Sequence, residues 1–515
     1  MGARPFLLRL PVILALLVLL SLLVSVPAFP ATYVVDSNNG DNGDSGDITH
    51  PWLTIQHAAN SVSPGDTIII HPGTYKESVY VSHSGTEGSL ITFAADPGAV
   101  LQSPDPTASW EAFDVLGNVG FIALQGIEAT GGFDETIFLR PGSHDISIQN
   151  CNLHHNKTGI IISDAYNINV QGCVLHDNAR LGIRVVGTCH DVTVSDTDSF
   201  GNGTPGVCSG AVDGFATTQG THDITFLRTR SYQNGGDGYD FKGDITLDSI
   251  QSYNNAGTGV KLWANASVQN SLVYGNARGI ATTPLIDGAA VDVFNCTIAY
   301  NNGVGIDLTH TSYSVNLVNN IVAGAFKAVQ YRRSVSLSES HNIFFRQTLY
   351  DPVLAPLGRR RFSDHDINLG AWAAWSGQGV ETLAVDPLFV DPANGDFHVA
   401  STSAAVGRGA DLGGGPLTNI GVFQVPPGPT NHAPFADPGR RRTGRRGRLL
   451  VFDGCGSVDP DGDPLTYSWD FGDGSDPVLG QQVRHAYAAR GKHTVTLTVS
   501  DGSLTDSRNI KATIR

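Results

Sequence analysis

Residues 212–261 read VDGFATTQGTHDITFLRTRSYQNGGDGYDFKGDITLDSIQSYNNAGTGVK, and the order around three glycines decides what the chain can fold into. Aligned on Gly214, Gly238 and Gly259, the next residues are Phe215, Tyr239 and Val260, followed by Ala216, Asp240 and Lys261. The residues just before are Asp213, Asp237 and Thr258. The same phrase continues on both sides. Gly159 and Gly182 are 23 residues apart, Gly214 and Gly238 24, Gly238 and Gly259 21, and Gly259 and Gly279 20. A period of about 20–25 residues with one strand-and-turn unit per repeat is the mark of a solenoid. Equivalent residues of successive coils then stack in columns about 4.8 Å apart.

The columns can be read one by one. The residue after the glycine is apolar throughout (Ile160, Ile183, Phe215, Tyr239, Val260, Ile280, Ile306), which predicts an inward column. The residue after that is mixed (Ile161, Arg184, Ala216, Asp240, Lys261, Ala281, Asp307), which predicts an outward one. Asn156, Asn178, Asn234, Asn255, Asn276 and Asn302 recur three or four residues before the glycine and predict an asparagine ladder at a coil corner. Cys151, Cys173 and Cys296 hold an equivalent place on three coils and read as small core residues, Cys151 and Cys173 stacking. Cys189 and Cys208 flank an irregular coil, where an exported chain could bridge them. No C-x-x-C pair exists, so a structural zinc site has no support.

Outside the repeats, the 515 residues carry a net charge of −16, which argues against nucleic acid as a partner. Glycine is abundant and charged residues are sparse, which suits short strands and turns. Residues 1–28 read as an export signal, with an uncleaved anchor as the alternative: Arg4 and Arg9, an apolar run from Val12 to Val26, and small residues for cleavage after Ala28. The run is too short to span a bilayer, and none like it follows, so a secreted chain without a membrane span is expected. PWLTIQHAANSV (51–62) puts Ile55, Ala58, Ala59 and Val62 on one helical face, suited to covering the open end of a solenoid.

Three phrases in the first hundred residues, TIQHAAN, PGDTIIIHPGTY and SGTEGSLITFAADPGAV, resemble the N-terminal part of pectate-lyase-like right-handed parallel β-helix proteins. VDPLFVDPANGDFHVASTSAAVGRGADLG (385–413) and NIGVFQV (419–425) resemble the closing segment of the same group. A proline-rich spacer follows at 426–433. Residues 434–515, with YSWDFGDG, resemble a PKD domain, a small immunoglobulin-like β-sandwich. The alternation in His493–Val499 independently predicts a half-buried strand. The expected architecture is therefore all-β: a β-helix over 29–425, with regular coils at about 145–345, and a sandwich over 434–515. Asp459, Asp461 and Asp463 read as a turn, and the six arginines between Arg440 and Arg448 as a solvated edge or an acidic-glycan contact.

The stretch quoted first most resembles polysaccharide lyases of family 9, whose pattern is an aspartate in a DGF phrase, an acidic cluster one coil on, and a lysine on the next. The resemblance implies that Asp213, Asp237 and Asp240 are calcium ligands and that Lys261 is the base of a β-elimination on an acidic, pectate-like polysaccharide. Arg184, in the same outward column, would hold a substrate carboxylate. The family usually has one more aspartate, at the position of Gly236 here, so one charged ligand is missing. A monomer is expected. Two rival readings stay open. One is a non-catalytic glycan-binding surface protein on the same scaffold. The other is a glycoside hydrolase using paired carboxylates, although the NTD, DD, GHG and RIK phrases of polygalacturonases are not found.

Overall fold

The structure is a computed structural model that describes residues 30–203, 212–283, 288–309, 313–331, 335–345, most of 354–423 and most of 434–515. The leader at 1–28, the spacer at 426–433, Cys208, Arg440, Asp459, Asp461 and Asp463 lie outside the described residues. The chain divides into two compact units, 1–424 and 425–515.

The first unit is the expected parallel β-helix. Among the described residues its coils lay down three parallel sheets of 13, 12 and 12 strands. One coil contributes Ile224–Leu227, Arg230–Tyr232 and Tyr239–Phe241, one strand to each sheet, and the next contributes Ile245–Asp248, Gln251–Tyr253 and Thr258–Leu262. The register makes the columns real. Ile160, Ile183, Phe215, Tyr239, Val260, Ile280 and Ile306 pair in succession and are all fully buried. They fill the bore with the aliphatic and aromatic rows of the other two sheets, so hydrophobic burial along the whole bore holds the coils together.

The asparagine ladder exists, with two corrections. It runs through Asn156, Asn178, Asn202, Asn234, Asn255, Asn276 and Asn301, not Asn302. Asn302 is the residue after the ladder position and is exposed; its N–H donates to the Asn276 carbonyl, as Ala256 does to Asn234. Asn202 is hidden from a count based on glycines, because its coil carries an insertion before Gly214. The ladder residues themselves do not adopt the left-handed backbone. The residue before each ladder position does so, as at His155, Asp177, Gln233, Asn254 and Tyr300. The ladder amides instead bond rung to rung: Asn255 Oδ1 accepts from Asn234 N and Nδ2, while its own Nδ2 donates to Ser231 O and Asn276 Oδ1.

The N-terminal helix is shorter than its pattern, Ile55–Ser61, with Thr54 as N-cap accepting from His57 N. Ile55, Ala58, Ala59 and Val62 all enter the main core. Cys151, Cys173, Cys189 and Cys296 are buried free thiols, so Cys189 is not bridged. Its Sγ instead points at the Val186 and Ile162 carbonyls. No helix among the described residues is long and apolar enough to cross a membrane.

The second unit is a β-sandwich. A five-stranded sheet contains Gly491–Ser500 and Thr505–Ile514, and Leu450–Asp453 pairs with Gln482–His485 opposite. Val495, Leu497 and Val499 alternate into a core built on Trp469, Phe471 and Tyr487.

Candidate active site on the outer face of the second sheet

The sheet holding the Gly–apolar–variable phrase presents its outward column as Arg184, Ala216, Asp240, Lys261 and Ala281 on consecutive rungs. Asp240 and Lys261 are therefore direct neighbours across one rung. Asp213 and Asp237 stand two residues before the inward Phe215 and Tyr239, where the chain turns into the strand. Parallel pairing stacks these turns, so residues far apart in sequence meet without any long loop.

The cluster is tightly bonded. Asp237 Oδ2 accepts from Lys261 Nζ at 3.0 Å, and its Oδ1 from Thr258 N at 2.5 Å. Asp213 Oδ1 accepts from Asp237 N at 2.8 Å. Asp240 Oδ2 accepts from Lys242 Nζ at 2.8 Å and its Oδ1 from Trp263 Nε1 at 2.6 Å, with Lys261 Nζ 3.7 Å from that same oxygen. Both ammonium groups lie over the Trp263 ring, at 5.1 Å for Lys261 and 5.3 Å for Lys242. Two of the three carboxylates, Asp237 and Asp240, thus share two lysines.

Charge and burial set the protonation. Asp213 is pushed up to about 7, first by its burial and then by the negative charge of Asp237. Burial pulls Lys261 down, but Asp237 and Asp240 more than offset this and hold it above the ordinary lysine range. In this arrangement Lys261 is a cation, not a base.

Four of the five expected site residues come together: Asp213, Asp237, Asp240 and Lys261. Arg184 does not join them, since Ala216 and Asp240 intervene on the rungs before Lys261. Lys242 and Trp263 belong to the cluster and carried no role in the sequence reading. Each stands two residues beyond an outward residue, Asp240 and Lys261, so strand alternation was the signal that could have placed them. Gly236 is closely packed as well. A Cβ there would sit 2.5 Å from Asp213 Oδ1 and 3.1 Å from the Val212 carbonyl oxygen. The fourth aspartate of the resemblance could enter only by displacing Asp213.

The profile described as Pel9A-like, right handed beta helix region, matches residues 32–335, more than half of the chain. The chain belongs to the Pel9A-like β-helix family. A PKD domain profile matches residues 431–515 of this Pel9A-like protein and accounts for the sandwich. Two relatives are pectate lyases. Pectate lyase PEL9 of Emericella nidulans is 25% identical over 41% of this chain and 50% of its own length. Pectate lyase L of Dickeya dadantii is 25% identical over 56% of this chain and 67% of its own. The Pel9A-like chain thus spans about half to two thirds of these relatives. The crystal structure of pectate lyase Pel9A superposes with a TM-score of 0.49 at 19% identity, covering 77% of this chain and 96% of that one.

For the calcium that the resemblance implies, the donor chemistry of this Pel9A-like site fits. Asp213, Asp237 and Asp240 supply carboxylate oxygens, the hard ligands calcium takes. The geometry is not yet that of a ligand set, because among the described residues no three acidic, histidine or cysteine side chains are arranged to hold one ion together. Lys261 and Lys242 are bonded to Asp237 and Asp240 instead.

Proposed function

We propose that the Pel9A-like unit is an exported polysaccharide lyase that cuts a uronic-acid-containing, pectate-like polymer by β-elimination, with Lys261 as the base. The observation that carries this reading is the convergence of Lys261 with Asp213, Asp237 and Asp240 on one face of a long parallel sheet. Such a face can receive an extended chain along the stacked rungs. Arg184, on the same outward column but rungs away, would hold a uronate of the same polymer at a more distant position.

In the elimination, neutral Lys261 Nζ takes the proton from C5 of the uronate. The C5–H electron pair becomes the C4–C5 double bond, and the C4–O bond breaks with its electrons on the departing oxygen, which picks up a proton from water. Bound calcium, held by Asp213, Asp237 and Asp240, would supply positive charge to the substrate carboxylate where negative charge builds up. The aspartates also act on the base itself, keeping Lys261 protonated until their own charge is taken up. Lys261 becomes a base only once Asp237 and Asp240 have another cation to face.

The test is ultraviolet absorbance during incubation with polygalacturonate, with calcium and with chelator, for wild type and Lys261→Ala. The expected result is a rise from the unsaturated product that needs calcium and disappears in the variant. Polymer binding without any rise, on this and a panel of other uronides, would make the protein a glycan-binding member of the family. The lysines already bonded to Asp237 and Asp240 are what favours that second reading. New reducing ends without absorbance would indicate hydrolysis.

A further inference from the structure

Lys242 has no part in the elimination, yet it holds one of the three carboxylates. Its backbone N–H donates to Thr217 Oγ1 at 3.0 Å, which fixes the end of the strand Tyr239–Phe241. Its ammonium then folds back two residues onto Asp240 Oδ2. The other oxygen of Asp240 is taken by the Trp263 indole. Asp240 is thereby the one aspartate of the three with both oxygens engaged by side-chain donors. It is also nearly buried, at 7% exposure, so little bulk water competes for it. The position that would add a fourth carboxylate is Gly236. The pocket therefore sets two ammonium charges against three carboxylates.

We infer that Lys242 is a resident counter-cation that competes with divalent ions for Asp240 and sets how weakly the pocket takes them up. This rests on the calcium reading of the same site. A divalent ion seated on Asp240 must displace the Lys242 ammonium or bind beside it, and both options lose attraction. Lys261 differs from Lys242 here: its release from Asp237 and Asp240 is part of the proposed reaction, whereas the release of Lys242 serves nothing but ion entry. Trp263 gives the contact a built-in reporter, since an ion on Asp240 lies beside an indole.

The experiment is calorimetric titration of the full chain with calcium, paired with terbium luminescence sensitised by tryptophan. The proteins compared are wild type, Lys242→Gln, Lys242→Met and Lys242→Arg. Loss of the ammonium should tighten calcium and terbium binding about tenfold in both neutral variants, while Lys242→Arg stays close to wild type. The sensitised emission should fall in Lys242→Met carrying Trp263→Phe. Equal or weaker binding in the neutral variants overturns the inference. If no variant and no wild-type protein takes up either ion, the inference and the calcium part of the reading fall together. The absorbance assay still decides elimination separately.

Discussion

Asp213 is the carboxylate whose chemistry is least like that of a free aspartate. It titrates near 7 in the folded chain against 3.8 for the ordinary residue, because burial and the charge of Asp237 disfavour its ionised form. Between those two pH values the folded state keeps a proton that the unfolded state has lost. Stability contributed by this residue is therefore full below about pH 4, falls as pH rises towards 7, and levels off above. Asp213→Asn removes the titration and keeps an oxygen for Asp237 N. In chelator, its melting temperature should exceed that of wild type at pH 8 and converge with it at pH 4. The gap at pH 8 should correspond to a few kcal/mol at most. Thermal melts across pH 4–8 check this, and a wild type with no extra pH slope would show Asp213 to be ionised in the fold. The same charges also raise Lys261, which stays protonated beyond the ordinary lysine range while Asp237 and Asp240 face it. One cluster thus raises an acid and a base together.

Coil corners decide whether those side chains meet. Asn255 is buried at the corner directly before the turn that carries Thr258, and its amide joins three rungs. Asn255→Ala would leave the Asn234 N–H buried without its partner and strip one bond each from the Ser231 carbonyl and Asn276 Oδ1, at a cost of about 1–3 kcal/mol. Asn302→Ala should cost less than about 0.5 kcal/mol, because only its backbone bonds to the neighbouring rung. Urea unfolding of both variants tests the assignment of the ladder, and equal losses would refute it. The contrast also shows what the sequence could and could not reveal. Apolar columns were legible because every coil repeats the Gly–apolar step, so inward Tyr239 and Val260 and outward Asp240 and Lys261 followed from alternation alone. Asn202 and Asn301 were not, because one coil carries an insertion and another a double asparagine, and a glycine-based count slips at both. Lys242 escaped for a different reason. Its position on the outward side was readable, but its fold back onto Asp240 depends on side-chain bonds that no pattern specifies.

Across the whole molecule, charge is unevenly divided. Residues 434–515 hold 12 lysines and arginines against 10 aspartates and no glutamate, whereas the rest of the chain holds 20 basic and 38 acidic residues. The excess of the PKD domain is concentrated around the turn between Arg442–Gly444 and Leu450–Asp453, where Arg445, Arg446 and Arg448 are exposed. No ion pair joins these three to a carboxylate among the described residues. An acidic β-helix repels a polyuronate at long range, so a separate basic surface on the same chain would offset that repulsion and keep polymer at hand. A full-length Arg445→Glu/Arg446→Glu/Arg448→Glu variant should elute earlier from immobilised polygalacturonate and lose apparent affinity for long polymer by about tenfold at low salt, and less at high salt. Under the proposed lyase reading, turnover of short oligouronides on the β-helix face should be unchanged. If retention and its salt dependence match wild type, the arginine turn is only a solvated edge. If short-substrate turnover falls as well, the substitutions have disturbed more than a docking surface.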